Sequence, residues 1–278
     1  MTDQAVHYET DASGVARITL DRADKRNAFD ASVISELTRA VTRATEDPDC
    51  RVIVLAGHGK HFSAGADLNW MKHTATLTAE ENRTDARALA GMLKAIDLSP
   101  KPVIARVQGA AYGGAVGLVS ACDIAVASTD ARFCLSEARL GLAPAAIGPY
   151  VIRVMGARQA RRYFLTCEEI SADKALTLGL IHEAVAPEAL DETVNALIER
   201  LLRNSPQALT ACKQLIARSG HNQPDEELIQ YTADLIASLR TSPEGQEGLQ
   251  AFLDKRQPNW ISTPIQSNTQ GSDSGAKQ

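Results

Sequence analysis

The sequence predicts an α/β fold, on three observations. Short apolar, β-branched runs recur through the first half of the chain, each of a length suited to a buried strand. Loops of small residues and stretches with apolar residues every three or four positions alternate with them, which gives a repeated strand-loop-helix order. From Arg158 onward the pattern is mostly helical.

The chain opens as a hairpin, with strands over residues 6–9 and 15–20 and a turn over 11–14, because apolar and polar residues alternate at period two. The period then changes. Asp30 is placed to cap a helix carrying Val33, Ile34, Leu37, Val41 and Ala44, which ends before Asp47-Pro48. Residues 51–56 predict a buried strand, and a small-residue loop follows over 58–67. Thr78-Ala79-Glu80-Glu81 is a capping box, since the Thr hydroxyl and the Glu carboxylate each satisfy a backbone N–H, and its helix extends to Leu98. Residues 102–107 are a further strand, 109–117 are glycine-rich, and 124–127 and 132–135 are strands. Ser171 and Ser205-Pro206 mark helix starts, Pro187 and Pro243 punctuate, and residues 181–185 are a short non-helical run. Residues 262–278 have almost nothing apolar to bury, so a disordered tail is expected there.

The bulk numbers exclude several classes. A chain of 278 residues with 44% hydrophobic and 23% charged residues buries a substantial core and is neither fibrous nor broadly disordered. Its net charge of -5 leaves no electrostatic footprint for a polyanion, so no nucleic-acid partner is expected. No uncharged apolar run approaches about 18 residues, and Asp3, His7 and Glu9 stand where a signal peptide needs an apolar core. The expectation is a cytoplasmic protein without a membrane partner. The 5 cysteines are scattered without C-x-x-C, which predicts buried thiols rather than disulfides or a zinc site. Nor do the 6 histidines show H-E-x-x-H spacing, so no metal is expected.

Two segments share one design: each follows a buried strand, is built of small residues and opens a helix. They are His61-Phe62-Ser63-Ala64-Gly65-Ala66-Asp67-Leu68 and Gly109-Ala110-Ala111-Tyr112-Gly113-Gly114-Ala115-Val116-Gly117. Small side chains let a ligand approach the backbone, and a helix start offers unpaired N–H groups and a dipole favourable to negative charge. Two such turns facing one another make an oxyanion hole, whereas one alone is also what any tight strand-to-helix connection looks like. Neither segment fits the dinucleotide or P-loop patterns, and Ser63 lacks the flanking glycines of a nucleophile elbow. The carboxylate of interest is Glu137, just after a strand in an apolar setting. Desolvation there raises its pKa toward a value useful for general acid-base work; a salt bridge to Arg139 or another cation is the competing reading, and the sequence leaves both open.

At these three segments the chain resembles the enoyl-CoA hydratase/isomerase (crotonase) family, and the resemblance covers residues 6–260. It rests on a combination of motifs: Asp24-Lys25-Arg26-Asn27-Ala28-Phe29, Ser63-Ala64-Gly65-Ala66-Asp67, Gly113-Gly114 followed by Ala121-Cys122-Asp123-Ile124, and Phe252-Leu253-Asp254-Lys255-Arg256-Gln257-Pro258. It implies a crotonase-type spiral of ββα repeats over residues 1–195, a helical trimerisation region over 196–260 and the tail over 261–278, assembled as a homotrimer or dimer of trimers. It also implies an acyl-CoA substrate, with coenzyme A as part of that substrate and no separate cofactor. Carried over by position, Ala66 and Gly114 donate the oxyanion-hole N–H groups. Lys25, Arg26, Ala64, Ala66, Asp67 and Leu68 lie along the coenzyme, and Phe252 and Lys255 complete its nucleotide pocket, in one variant from a neighbouring subunit.

One departure is informative. The resemblance expects hydratases to carry two glutamates, one in the second glycine loop and one at Glu137, and here the first position is Gly117. Glu137 then serves both proton transfers or another group assists, and isomerases of the family manage with the single glutamate. Residues 63–72 and 131–151 nevertheless resemble bacterial 3-methylglutaconyl-CoA and isohexenylglutaconyl-CoA hydratases, which appoints hydration of a branched glutaconyl thioester, in leucine or acyclic terpenoid catabolism, as the expected activity. Isomerisation or another enolate-forming reaction is the alternative, and a silent acyl-CoA-binding protein is a third reading. Arg139, Lys72 and His73 are candidates to meet the substrate's second carboxylate.

Overall fold

A computed structural model describes residues 4–220 and 224–261; the tail expected after Ile261 lies outside the described residues. The hairpin forms as the alternation predicts: β1 (Val6–Thr10) pairs antiparallel with β2 (Val15–Leu20), and Asp11 Oδ1 holds the turn by accepting from the Ser13 and Val15 N–H groups. Asp30 caps α1 (Ala31–Glu46) by accepting from the Val33 N–H at 3.0 Å, and the helix buries Val33, Ile34, Leu37, Val41 and Ala44. This helix carries the chain back so that β3 (Val52–Gly57) lies parallel to β2.

From there the chain makes α2 (Leu68–Thr74), α3 (Ala79–Asp97, opened by the Thr78–Glu81 capping box), β4 (Val103–Val107), β5 (Ala110–Tyr112) and α4 (Gly114–Ala121). It continues through β6 (Ile124–Ser128), β7 (Arg132–Cys134), α5 (Gly148–Thr166), β8 (Ile170–Ser171), α6 (Ala172–Thr177), β9 (Glu183–Val185) and α7 (Leu190–Leu202). Three helices finish it: α8 (Pro206–Ser219), α9 (Glu226–Thr241) and α10 (Pro243–Leu253).

Two walls result. The larger runs β1-β2-β3-β4-β6-β9, parallel beyond the first pair; the smaller runs β5-β7-β8. Single bridges, Ser63 to Ala111 and Phe29 to Ala66, extend the smaller wall toward the N-terminal part of the chain. The chain visits one wall and then the other before α4 and α5, in β4-β5-α4 and β6-β7-α5. This is the expected ββα repeat.

The inner strands β3, β4 and β6 are buried on both faces, which is why they read as continuous apolar runs. Ile53 and Leu55 face the main core between the walls, while Val52 and Val54 face Leu190, Val194 and Ile198 of α7 on the other side. Burying those three α7 side chains contributes roughly 1.5–3 kcal/mol each. The boundary drawn at 195/196 therefore falls inside a helix that belongs to the sheet layer.

Three local expectations are corrected. Residues 110–112 are a strand rather than part of a loop; three residues are too few to show a period. Helix α5 starts at Gly148, ahead of Arg158, and Gly156 departs from helical dihedrals inside it, which breaks the periodicity that would reveal it. Pro243 opens α10 at its first turn, where Ser242 accepts from the Gly245 N–H. Among the described residues no helix is long and apolar enough to cross a membrane.

Candidate active site

The first small-residue loop leaves β3 and runs beside β5: the Ser63 N–H donates to the Ala110 carbonyl and the Tyr112 N–H to the Ser63 carbonyl, both at 3.0 Å. Ser63 is fully buried, and its hydroxyl accepts from the Gly65 N–H, so its oxygen shapes the turn. Gly65 has φ +85, and a Cβ there would lie 2.6 Å from the Tyr112 carbonyl oxygen. The two loops are therefore in direct contact, with a glycine at the point of closest approach.

Beyond Gly65 the segment pairs with Phe29. The Phe29 N–H donates to Gly65 O and the Asp67 N–H to Phe29 O, each at 2.7 Å. These bonds bracket Ala66, which is exposed and whose own N–H has no acceptor among the described residues. Asp67 then starts α2, its Oδ1 accepting from the Asn69 and Trp70 N–H groups.

In the second loop the Gly113 N–H donates to Cys134 O, which ties the turn to β7. Gly114 is the first residue of α4, so its N–H is one of the groups a helix start leaves unpaired. A Cβ on Gly114 would come within 3.0 Å of the Phe29 ring, so Phe29 packs against both donor segments.

Glu137 completes the arrangement. Its Oε1 lies 3.5 Å from where a Cβ on Gly113 would stand, which sets the carboxylate against the start of α4. Oε2 is buried without a hydrogen-bond partner. Burial pushes the carboxyl above the ordinary glutamate range, opposed only by its own backbone N–H. Arg139 turns away and donates to the Cys167 carbonyl at 2.6 Å, and no cation pairs with Glu137 among the described residues. Of the two readings left open, the ion pair to Arg139 is the one the structure removes.

Gly117 sits one turn into α4 and is fully packed. A Cβ there would lie 2.7 Å from the Ile147 Cβ and closer still to its Cγ2. The space where a second carboxylate is expected is thus filled by a buried isoleucine.

Lys25 and Arg26 are exposed on a 3-10 turn over Ala23–Lys25, and the Arg26 carbonyl accepts from the Ala64 N–H, which docks this turn against the first loop. Leu68 is 73% exposed at the start of α2, whereas Asp67 is buried and its side chain is used in capping. Lys72 and His73 stand exposed on the last turn of α2. Phe252, 82% exposed, and Lys255 lie at the end of α10, and neither side chain has a hydrogen bond or ion pair among the described residues. The single chain does not join them to the other candidates.

Sequence reasoning gave no role to Asn27 or Ile147. Asn27 is buried and works as a clamp: its Oδ1 accepts from the Arg22 N–H at 2.9 Å, and its Nδ2 donates to the His58 and His61 carbonyls at 2.9 and 2.8 Å. The sequence signals are its place in the Asp24-to-Phe29 motif and an amide immediately before the apolar pair Ala28-Phe29. Two unpaired N–H groups on adjoining turns polarise a carbonyl, and an unpaired, desolvated carboxylate beside them exchanges protons at the carbons next to it.

Comparison with known proteins agrees with this fold. The family model described as Enoyl-CoA hydratase/isomerase matches residues 10–263. The crystal structure of an enoyl-CoA hydratase from Shewanella pealeana superposes with a TM-score of 0.90 at 46% identity, covering 92% of this chain and 96% of that one. The crotonyl-CoA hydratase of Syntrophomonas wolfei is 30% identical over 89% of this chain and 95% of its own length. The trans-2-decenoyl-[acyl-carrier-protein] isomerase of Streptococcus mutans is also 30% identical, over 94% of this chain and 99% of its own length.

Proposed function

This chain belongs to the enoyl-CoA hydratase/isomerase family, and we propose that within it the protein adds water across the double bond of a branched glutaconyl-CoA-type thioester, isohexenylglutaconyl-CoA or 3-methylglutaconyl-CoA. The observation that carries the chemistry is the unpaired Glu137 carboxylate set against the helix start that bears the Gly114 N–H. The thioester oxygen accepts from the Ala66 and Gly114 N–H groups, which lowers the energy of the enolate. Glu137 takes a proton from water as its oxygen bonds to the β-carbon, and the neutral carboxyl then returns that proton to the α-carbon. The raised pKa of Glu137 suits both halves, since the group must accept and release within one cycle. The branched glutaconyl substrate rests on the resemblance of residues 63–72 and 131–151, and Lys72 and His73, exposed on α2, remain the side chains offered to its second carboxylate.

On the same reading Lys25 and Arg26 meet the coenzyme along the 3-10 turn. Phe252 and Lys255 come to the nucleotide end from a neighbouring subunit of a homotrimer or dimer of trimers, a reading supported by the exposure of Phe252 at the end of α10.

One observation favours a second reading. With Ile147 filling the space at Gly117, the site has one carboxylate, which suffices to move a proton from one carbon to another and hence to shift a double bond. Incubation with 3-methylglutaconyl-CoA, followed by loss of enoyl-thioester absorbance and mass spectrometry of the product, separates the two. A gain of one water that depends on Glu137 is the expected result; an unchanged mass with a displaced double bond makes the protein an isomerase.

A further inference from the structure

Arg22 lies outside the motifs to which a role has been given, yet its guanidinium contacts both segments that frame Ala66. Nη1 donates to the Ala28 carbonyl at 3.0 Å and pairs with Asp30 Oδ2 at 2.7 Å. Nη2 reaches Asp67 Oδ2 at 3.5 Å, the oxygen that capping of α2 leaves over. The Arg22 N–H is held by the Asn27 amide, and the side chain is only 15% exposed. Its partners, residues 28, 30 and 67, are the immediate neighbours of Phe29 and Ala66, and the two 2.7 Å bonds run from Phe29 to Gly65 and Asp67 on either side of Ala66.

We propose that Arg22 is a positioning residue of the oxyanion hole: it fixes the Phe29 and Ala66 segments relative to each other, and so aims the Ala66 N–H, without touching substrate. The inference rests on Ala66 acting as an oxyanion donor, as proposed above. The work requires a fork. A planar guanidinium spans two carboxylates and a carbonyl at fixed angles, whereas a lysine ammonium is a single point on a flexible stem. Because donor geometry decides the strength of an oxyanion contact, a small rotation of the Ala66 peptide costs rate while leaving coenzyme contacts on the 3-10 turn in place.

The test is Arg22→Lys, with Asp30→Asn as a second variant that keeps the α1 cap and removes the charge paired with Arg22. Each is assayed for kcat and KM, and by difference infrared spectroscopy of the thioester carbonyl of bound butyryl-CoA, a saturated thioester that cannot be hydrated. In the wild type the carbonyl stretch is expected to move to lower frequency on binding. Both variants are expected to lose most of that shift and about 10- to 100-fold in kcat, with KM within about threefold. A shift and kcat retained in both variants overturns this proposal alone. Loss of kcat with an unaltered carbonyl shift also overturns it, because the residue then acts through stability. Absence of any shift in the wild type overturns the oxyanion reading itself, and this proposal with it.

Discussion

At the scale of single residues, Glu137 is in a costly position, a carboxylate part-buried with one oxygen unpaired. Burial raises its pKa in the folded state, so the folded protein binds this proton more tightly than the unfolded chain does. Its contribution to stability is therefore most favourable below the ordinary glutamate value and is lost as pH rises through the raised folded value. Glu137→Gln removes that penalty and the base together. The variant should lose about 10²–10⁴ in kcat, while its thermal midpoint exceeds that of the wild type near pH 8 and matches it at about pH 4, where both side chains are neutral. A midpoint difference independent of pH would contradict the assignment. For the wild type, kcat/KM is expected to fall as pH drops through the same raised pKa, which a pH-rate profile checks. Gly117 gives the complementary case. Because Ile147 fills the adjacent space, Gly117→Glu should destabilise by at least the roughly 1–3 kcal/mol typical of overpacking and should not raise hydration of crotonyl-CoA. Adding Ile147→Ala should recover part of the lost thermal midpoint.

At the scale of elements, helix starts were legible because capping is local: Asp30, Thr78, Ser171 and Ser205 each bind an N–H three residues on. The smaller wall was not, since its N-terminal part consists of single bridging residues, Phe29, Ser63 and Ala66, that carry no period. Arg51 shows how one side chain joins elements distant in sequence. It donates to the carbonyls of Leu202, Asn204 and Trp260, which closes the end of α7 and the chain after α10 against β3. Charged hydrogen bonds of this kind contribute about 1.5–3 kcal/mol each. Arg51→Met should raise amide hydrogen exchange across residues 203–205 and 256–261 by about tenfold or more while β3 stays protected. Equal exchange in both proteins would show that the clamp is dispensable.

At the scale of the whole molecule, the proposed catalytic group and the proposed nucleotide contacts belong to different parts of the chain. Glu137 precedes α5 in the spiral, and Phe252 and Lys255 end α10, where Phe252, Leu253 and Leu249 are exposed together. Mixing settles whether one chain or two make a site. Glu137→Gln and Lys255→Glu subunits, each defective alone, should regain about a quarter of wild-type activity when co-expressed in equal amounts, since about half times half of the interfaces pair the two intact halves. Activity no greater than the sum of the two defective homo-oligomers would place both groups in one chain.

The sequence by itself determined the α/β class, the caps, the strands buried on both faces, the two small-residue loops, and the lack of a carboxylate at residue 117. These follow from local propensity and from hydrophobic period, which residues near in sequence are enough to express. Only the tertiary structure decided that Arg139 leaves Glu137 unpaired, that Gly65 rests on Tyr112, that Ile147 occupies the space at Gly117, and that Arg22 spans residues 28, 30 and 67. Each of these joins side chains or turns from separate elements. Whether a buried charge finds a partner or a void finds a filler depends on how the walls pack, and no spacing along the chain encodes it.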